Sequence, residues 1–281
     1  MKLIGQSFDI YDQGVEMIFP DDLGHEKEAL IRRMKKHIER CGRTCYRSED
    51  KITDTSYEGF VNRMIQSKHT SMLEHGTVYL YAPFIEGTQM SPLSHYRDNK
   101  YSKCNQDENG EYVTTNYRVV VENEWENDLQ YICEPKMYWH EYRYTVHLTT
   151  NIHVYKDLTR HRPMSYAIES TRYCNYSKDK FGSELTFIKP CWDCDDPAFQ
   201  STLKKIEDSY IHLTENGWKA QEAATILPQA TKADVIITGF ISDWKHIFDL
   251  RVLGTTGAPH PQVREIMSQV MEEFIKRNYL E

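Results

Sequence analysis

The 281-residue sequence contains no apolar run approaching about 18 residues, which excludes a helical membrane span. It has no surplus of positive charge either: 34 lysines and arginines face 42 aspartates and glutamates, for a formal net charge of −8. Non-specific nucleic-acid binding needs a broad basic surface to displace counterions, so that class is excluded, whereas a local basic pocket is not. Cysteine is sparse and odd in number, seven along the chain, which is not the pattern of a disulfide framework. The opening stretch MKLIGQSFDIYDQG carries acids early and lacks the apolar segment and small-residue cleavage site of a secretory signal. No internal repeat and no low-complexity linker divides the chain. GxGxxG, GxxxxGK[ST] and GxSxG are all missing, which removes the usual dinucleotide, P-loop and serine-hydrolase signatures. The expectation is a cytoplasmic, reduced protein with neither nucleic acid nor membrane as partner.

What is present is an ordinary globular balance, 40% apolar and 27% charged residues, in a chain long enough for a sizeable core. A single domain over residues 1–281 is the default. Leu30, Ile31, Met34 and Ile38 recur at helical spacing among charges, predicting a helix from His25 to about Arg40. A second helix is predicted over Ser56–Ser67, with Phe60, Met64 and Ile65 inward. Val78, Leu80 and Ala82 then alternate with Thr77, Tyr79 and Tyr81 as in a strand. Residues 86–140 are the least patterned, with short strands such as Val113–Val121, and read as an insertion or loop excursion. YRYTVHLTTNIHVY, residues 142–155, again alternates. Long helices are predicted at Pro197–Ala224 and Pro261–Tyr279, with a shorter one at Ser242–Leu250. Helices with a modest antiparallel sheet make the fold class α+β.

The densest chemistry lies at Arg160-His161-Arg162, followed by Ser170 and Arg172. Three guanidiniums and an imidazole are costly to crowd unless something anionic shares the space. Guanidinium forks match phosphate and carboxylate oxygens, and a hydroxyl adds a short neutral donor. Two readings stay open on residues alone: an anionic small-molecule site, or a surface patch paired with Glu169 and nearby acids. Metal readings are weaker. His69 and His75 are separated by five residues, which does not put both rings on one helical face. Cys191 and Cys194 have Cys-x2-Cys spacing without a second pair. No metal is expected.

Arg-His-Arg, seven residues, then Ser resembles the signature of the flavin-dependent thymidylate synthases, here Arg160-His161-Arg162-PMSYAIE-Ser170. The likeness extends in family order. Arg43-Thr-Cys45-Tyr46, His69–His75, Leu227-Pro228, Arg251 in HIFDLR and His260-Pro-Gln262 each resemble a family element. The resemblance implies an α+β fold assembled as a homotetramer with shared active sites. It also implies bound FAD, with NADPH as reductant, methylene-tetrahydrofolate as carbon donor, and reductive methylation of dUMP to dTMP. By the same resemblance, Ser71, Glu74, Arg160, His161, Arg162 and His246 contact FAD. Arg160, Glu169, Ser170, Arg172, Arg251 and Gln262 hold dUMP, and His69 and Tyr173 lie on the folate side. Arg251 carries the catalytic role, a fixed cation that favours ionisation of the uracil ring. The sequence departs from the family's pattern at Asp157, Ile168, Ala224, Phe240 and His246, with Lys219 as the candidate replacement for the arginine lost at Ala224. The alternatives are one-carbon transfer to another pyrimidine deoxynucleotide and a nucleotide-binding relative without turnover.

Overall fold

The computed structural model describes residues 1–13, 26–178, 182–192 and 194–280. The predicted helix start at His25 falls outside the described residues. In chain order the elements are strands β1 (Lys2–Ile4) and β2 (Ser7–Tyr11), helices α1 (Glu26–Thr44) and α2 (Ser56–Gln66), and β3 (Thr77–Pro83). Then follow β4 (Lys103–Gln106), β5 (Gly110–Asn116), α3 (Tyr117–Glu122), β6 (Arg143–Asn151), α4 (Ile152–Leu158), β7 (Ser165–Ile168) and β8 (Thr186–Ile188). The last are α5 (Pro197–Glu215), α6 (Ala220–Ala223), β9 (Lys232–Phe240), α7 (Ile241–Phe248) and α8 (Pro261–Lys276). The fold is α+β. Among the described residues no helix is long and apolar enough to cross a membrane.

The central sheet is antiparallel in the order β2-β6-β9-β7. Strand periodicity assigns its two faces. Val146 and Leu148 of β6 and Val235 and Ile237 of β9 pack against α4, α7 and α8 around Trp244, Phe248 and Phe274. The opposite face presents Thr145, Ile236 and Thr238 toward α1, where Ala167 and Ile236 cluster with Cys41. Burial on both faces explains why β9 reads ADVIITGF without alternation, and why no period-two signal marks it. This strand, the partner of both β6 and β7, is absent from the elements expected above.

A second sheet, β3-β5-β4, is built largely from the stretch read as an excursion. Every residue of β5 is buried, and Val113, Val119 and Val120 share one core with Met34 and Ile38 of α1 and Phe60 of α2. Residues 86–140 thus supply core rather than surface loop alone. The expected strand Val113–Val121 ends at Asn116, whose side chain accepts from Val119 N at 3.2 Å and starts α3. The alternation expected through Tyr155 stops the same way, since Asn151 accepts from Val154 N at 2.9 Å and starts α4. In both cases a side-chain cap satisfies a free helical N–H and outweighs the β-branched run that follows. The long helix expected over Pro197–Ala224 breaks after Glu215, because Gly217 adopts φ +90° and reverses the chain before α6.

Candidate functional site

Two adjoining cavities gather six of the thirteen sequence-selected residues. The first, about 550 Å³, is lined by Arg160, His161, Arg162, His246, Arg251 and the 256–259 turn. Helix α4 delivers the first three just past its C-terminus. Arg251 sits on a π-helical turn, Asp249–Leu253, that continues α7 and closes on Gly254 at φ +70°. Arg251 Nε donates to His161 Nε2 at 3.0 Å, and its Nη2 donates to the Asp157 carbonyl at 3.0 Å. The Asp157 carboxylate lies 3.5 Å from Arg251 and 3.9 Å from Arg160. Because Nε2 accepts, the His161 proton belongs on Nδ1. Burial, then the Arg251 charge, hold the His161 pKa down to about 4, so the ring is neutral at physiological pH. Arg160 is exposed apart from its Asp157 contact, and its guanidinium is free to meet a ligand.

The second cavity, about 740 Å³, holds Glu74 and Arg162 on its walls, with Met164, Ser165, Phe240 and Arg143 also lining it. Gly239 permits this packing, since a Cβ there would stand 2.1 Å from the Met164 sulfur. Arg143 opens β6 and is buried. Its Nη1 donates to Thr77 Oγ1 at 3.3 Å and its Nη2 to the Glu74 carbonyl at 3.0 Å, while its Nε has no partner. Burial pulls its pKa down to about 10, still protonated at neutral pH, and no carboxylate lies within ion-pair distance among the described residues. Sequence reasoning missed this residue. The one available signal was a charged side chain in phase with the buried Thr145 on the same strand. Glu74 ion-pairs with Arg118 at 2.6 Å. Ser71 and His69, on and just before the turn Thr70–His75, are exposed.

The remaining candidates lie elsewhere. Ser170 N donates to the Cys45 carbonyl at 2.9 Å, on the α1 side of the sheet. Arg172 Nε donates to Gln221 Oε1 at 3.1 Å, and the exposed Tyr173 packs on Tyr46 with ring centroids 5.3 Å apart. Strand β7, four residues and about 13 Å long at 3.3 Å per residue, lies between this group and Arg162 in the chain. Glu169 is buried: it accepts from Lys232 at 2.8 Å, from Tyr176 at 3.0 Å and from Asp234 N at 3.1 Å. Gln262 is buried too, donating to the Lys189 carbonyl at 3.2 Å and accepting from Asn151 at 3.2 Å. Both carry local scaffolding in this chain and line neither cavity. Ala224 is half-buried one turn before Leu227, and Lys219 is exposed at the start of α6.

The family model described as thymidylate synthase complementing protein, Thy1, matches residues 135–277, just over half of the chain. The chain belongs to that family. The match takes in the Arg160–Ser170 signature and Arg251, whereas His69–His75 and the 86–134 stretch precede it. The flavin-dependent thymidylate synthase of Pyrococcus furiosus is 28% identical over 180 residues, covering 60% of this chain and 70% of the relative. The enzyme of the same name from Thermococcus kodakarensis is 29% identical over 127 residues, covering 44% of this chain and 50% of the relative. That from Geobacter sulfurreducens is 30% identical over 94 residues, 34% and 40% of the two chains. The chain therefore spans half or less of the length of the latter two. Among solved structures, a UMP/dUMP methylase, PolB, from Streptomyces cacaoi bound with 5-Br UMP gives a TM-score of 0.47 at 14% identity, covering 98% of this chain and 92% of the other. The thymidylate synthase ThyX of Helicobacter pylori complexed with FAD and dUMP gives 0.37 at 12% identity, with 85% and 88% covered. At that distance these structures bear on neither substrate nor mechanism.

Proposed function

We propose that this Thy1-family protein is a flavin-dependent thymidylate synthase, converting dUMP to dTMP with methylene-tetrahydrofolate as carbon donor and NADPH as reductant. The observation that carries the reading is the convergence of Arg160, His161, Arg162 and Arg251, ninety residues apart in sequence, on one cavity wall. FAD fits the residues present. The buried Arg143 without a counter-ion, and Arg162 beside it, suit the diphosphate of a dinucleotide. Arg162, Glu74 and Ser71 would hold the cofactor, with Arg160, His161 and His246 along its other edge. Bound FAD supplies hydride transfer once reduced, chemistry that no side chain offers. Arg251, fixed by His161 and Asp157, places an oriented cation beside the uracil ring and favours its ionisation. His161 accepts that hydrogen bond and thereby sets the guanidinium plane.

The position of Ser170 and Arg172 past β7, outside the cavity that Arg251 and Arg162 line, supports shared sites. A single nucleotide meets both groups when the Ser170 side comes from another copy, as in a homotetramer. In that assembly Ser170 and Arg172 hold dUMP, while His69 and Tyr173, both exposed here, face the folate. The test is the visible spectrum of the purified protein before and after anaerobic NADPH, followed by product analysis with dUMP and methylene-tetrahydrofolate. A flavin band that bleaches, together with dTMP formation, is the expected result. A protein that takes up no FAD, or bleaches without methylating dUMP, refutes the reading.

A further inference from the structure

The 740 Å³ cavity has a wall that the site residues discussed so far do not supply. Segment 99–103, on the approach to β4, brings Lys100 and Lys103 to it, and α3 brings Arg118. Arg118 is consumed by Glu74 at 2.6 Å and Glu122 at 2.9 Å. The other cations are not matched. Lys100 and Arg162 have no ion-pair partner among the described residues, and Lys103 has only Glu141 at 4.0 Å. Lys100 rests over the Tyr101 ring, its Nζ 4.8 Å from the centroid, and Lys103 stands 5.6 Å from the Phe240 ring. On the floor, Arg143 is buried with its Nε unpartnered. Against these four cations the lining offers one acid beyond those paired with Arg118, Asp243. A buried guanidinium without a counter-ion, ringed by unmatched cations, is a standing attraction for negative charge. The cavity volume is that of a small-molecule site.

We propose that this cleft binds the part of a small molecule that carries consecutive anionic groups, and that Lys100 and Lys103 of the 86–140 segment are its specificity-determining cations. The inference rests on the proposed function and extends it to residues outside the family match. Consecutive anions have two sources there: the diphosphate of a dinucleotide, or a chain of γ-linked glutamate carboxylates on a folate. Long flexible lysines on an exposed segment suit either, because they adapt to spacing where a fixed arginine fork does not.

The experiment is titration calorimetry of the full chain and of the Lys100→Gln/Lys103→Gln double variant. The probes are FAD, FMN, mono- and tetraglutamyl tetrahydrofolate, and inorganic tripolyphosphate. Both lysines are exposed, so the variant folds. The expected result is about tenfold weaker binding of one polyanionic probe, with a shallower salt dependence. Weakening of FAD but not FMN assigns the diphosphate. Weakening of the tetraglutamate but not the monoglutamate assigns the carboxylate chain. Tripolyphosphate bound by the wild type and weakened in the variant, with no affinity for FAD or folate, supports the cleft while refuting the proposed function. Equal binding of every probe by both proteins, or no binding by the wild type, overturns the inference.

Discussion

Lowering the pH from 6 to 5 should destabilise this protein through two buried histidines on the α1 face of the central sheet. His37 Nε2 and Thr145 Oγ1 are 3.0 Å apart, Thr145 and Thr238 hydroxyls 2.8 Å, and Thr238 Oγ1 and His75 Nδ1 2.8 Å. Such a chain runs in one direction. If His37 donates, Thr145 and Thr238 pass the donation on and His75 must accept; the reverse order makes His37 the acceptor. Protonating the accepting ring puts donor against donor. Burial is the main reason both pKa values are held at about 3, with neighbouring positive charge adding to it. In the unfolded chain a histidine titrates near 6.5. Between those values the unfolded state binds more protons, so the contribution is intact above pH 6.5 and is lost as pH falls toward 3. From pH 6 to 5 each ring contributes a loss of about 1.2 kcal/mol, or about 2.4 kcal/mol together, against a total stability on the order of 5–15 kcal/mol. Ordinary carboxylates titrate little in that window. The assay is urea unfolding at pH 5, 5.5 and 6, followed by tryptophan fluorescence and circular dichroism, for wild type and His75→Gln. The variant should be less stable at pH 6 yet lose about 1.2 kcal/mol less on going to pH 5. His140, His161 and His260, also held low by burial, act with the same sign in both proteins and cancel in the difference. Equal pH dependence in the two proteins would refute the reasoning.

Glu169→Gln should cost about 3 kcal/mol, read as a lower thermal midpoint, because it leaves buried Lys232 facing one fewer carboxylate. An unchanged midpoint with a selective loss of dUMP affinity would instead place Glu169 on the nucleotide. Arg251→Ala should slow turnover by about 100-fold while flavin stays bound. It should also raise the His161 pKa from about 4, since a neighbouring cation is removed; an NMR titration of His161 that does not move would rule out the observed pairing.

Much of the chemistry was written in sequence order, because short motifs survive as words. The run Arg160-His161-Arg162, the segment His69–His75 and Arg251 are each recognisable alone, and the first and last now line one cavity. Amphipathic α1, α2 and α8 were legible for a related reason: one face meets core and the other water, so burial imprints a helical period. The central strand β9 carried no such imprint, since helices cover both of its faces and, after Asp234, every position is apolar or small. The ends of β5 and β6 turned on single asparagine caps that pattern does not weigh. In the sequence Arg143 is one charge in an alternating stretch. Only the meeting of β6 with Thr77, the Glu74 carbonyl and Phe240 makes it a buried cation at a ligand cavity. The same holds for Glu169 and Gln262, whose residue types suit a nucleotide but whose partners here are Lys232, Tyr176, Asn151 and the Lys189 carbonyl. The sequence determined the composition class, most helices and the identity of the reactive groups, which are local properties. Tertiary structure decided which groups share a cavity and which are held away from it, because partners distant in the chain are brought together only by packing.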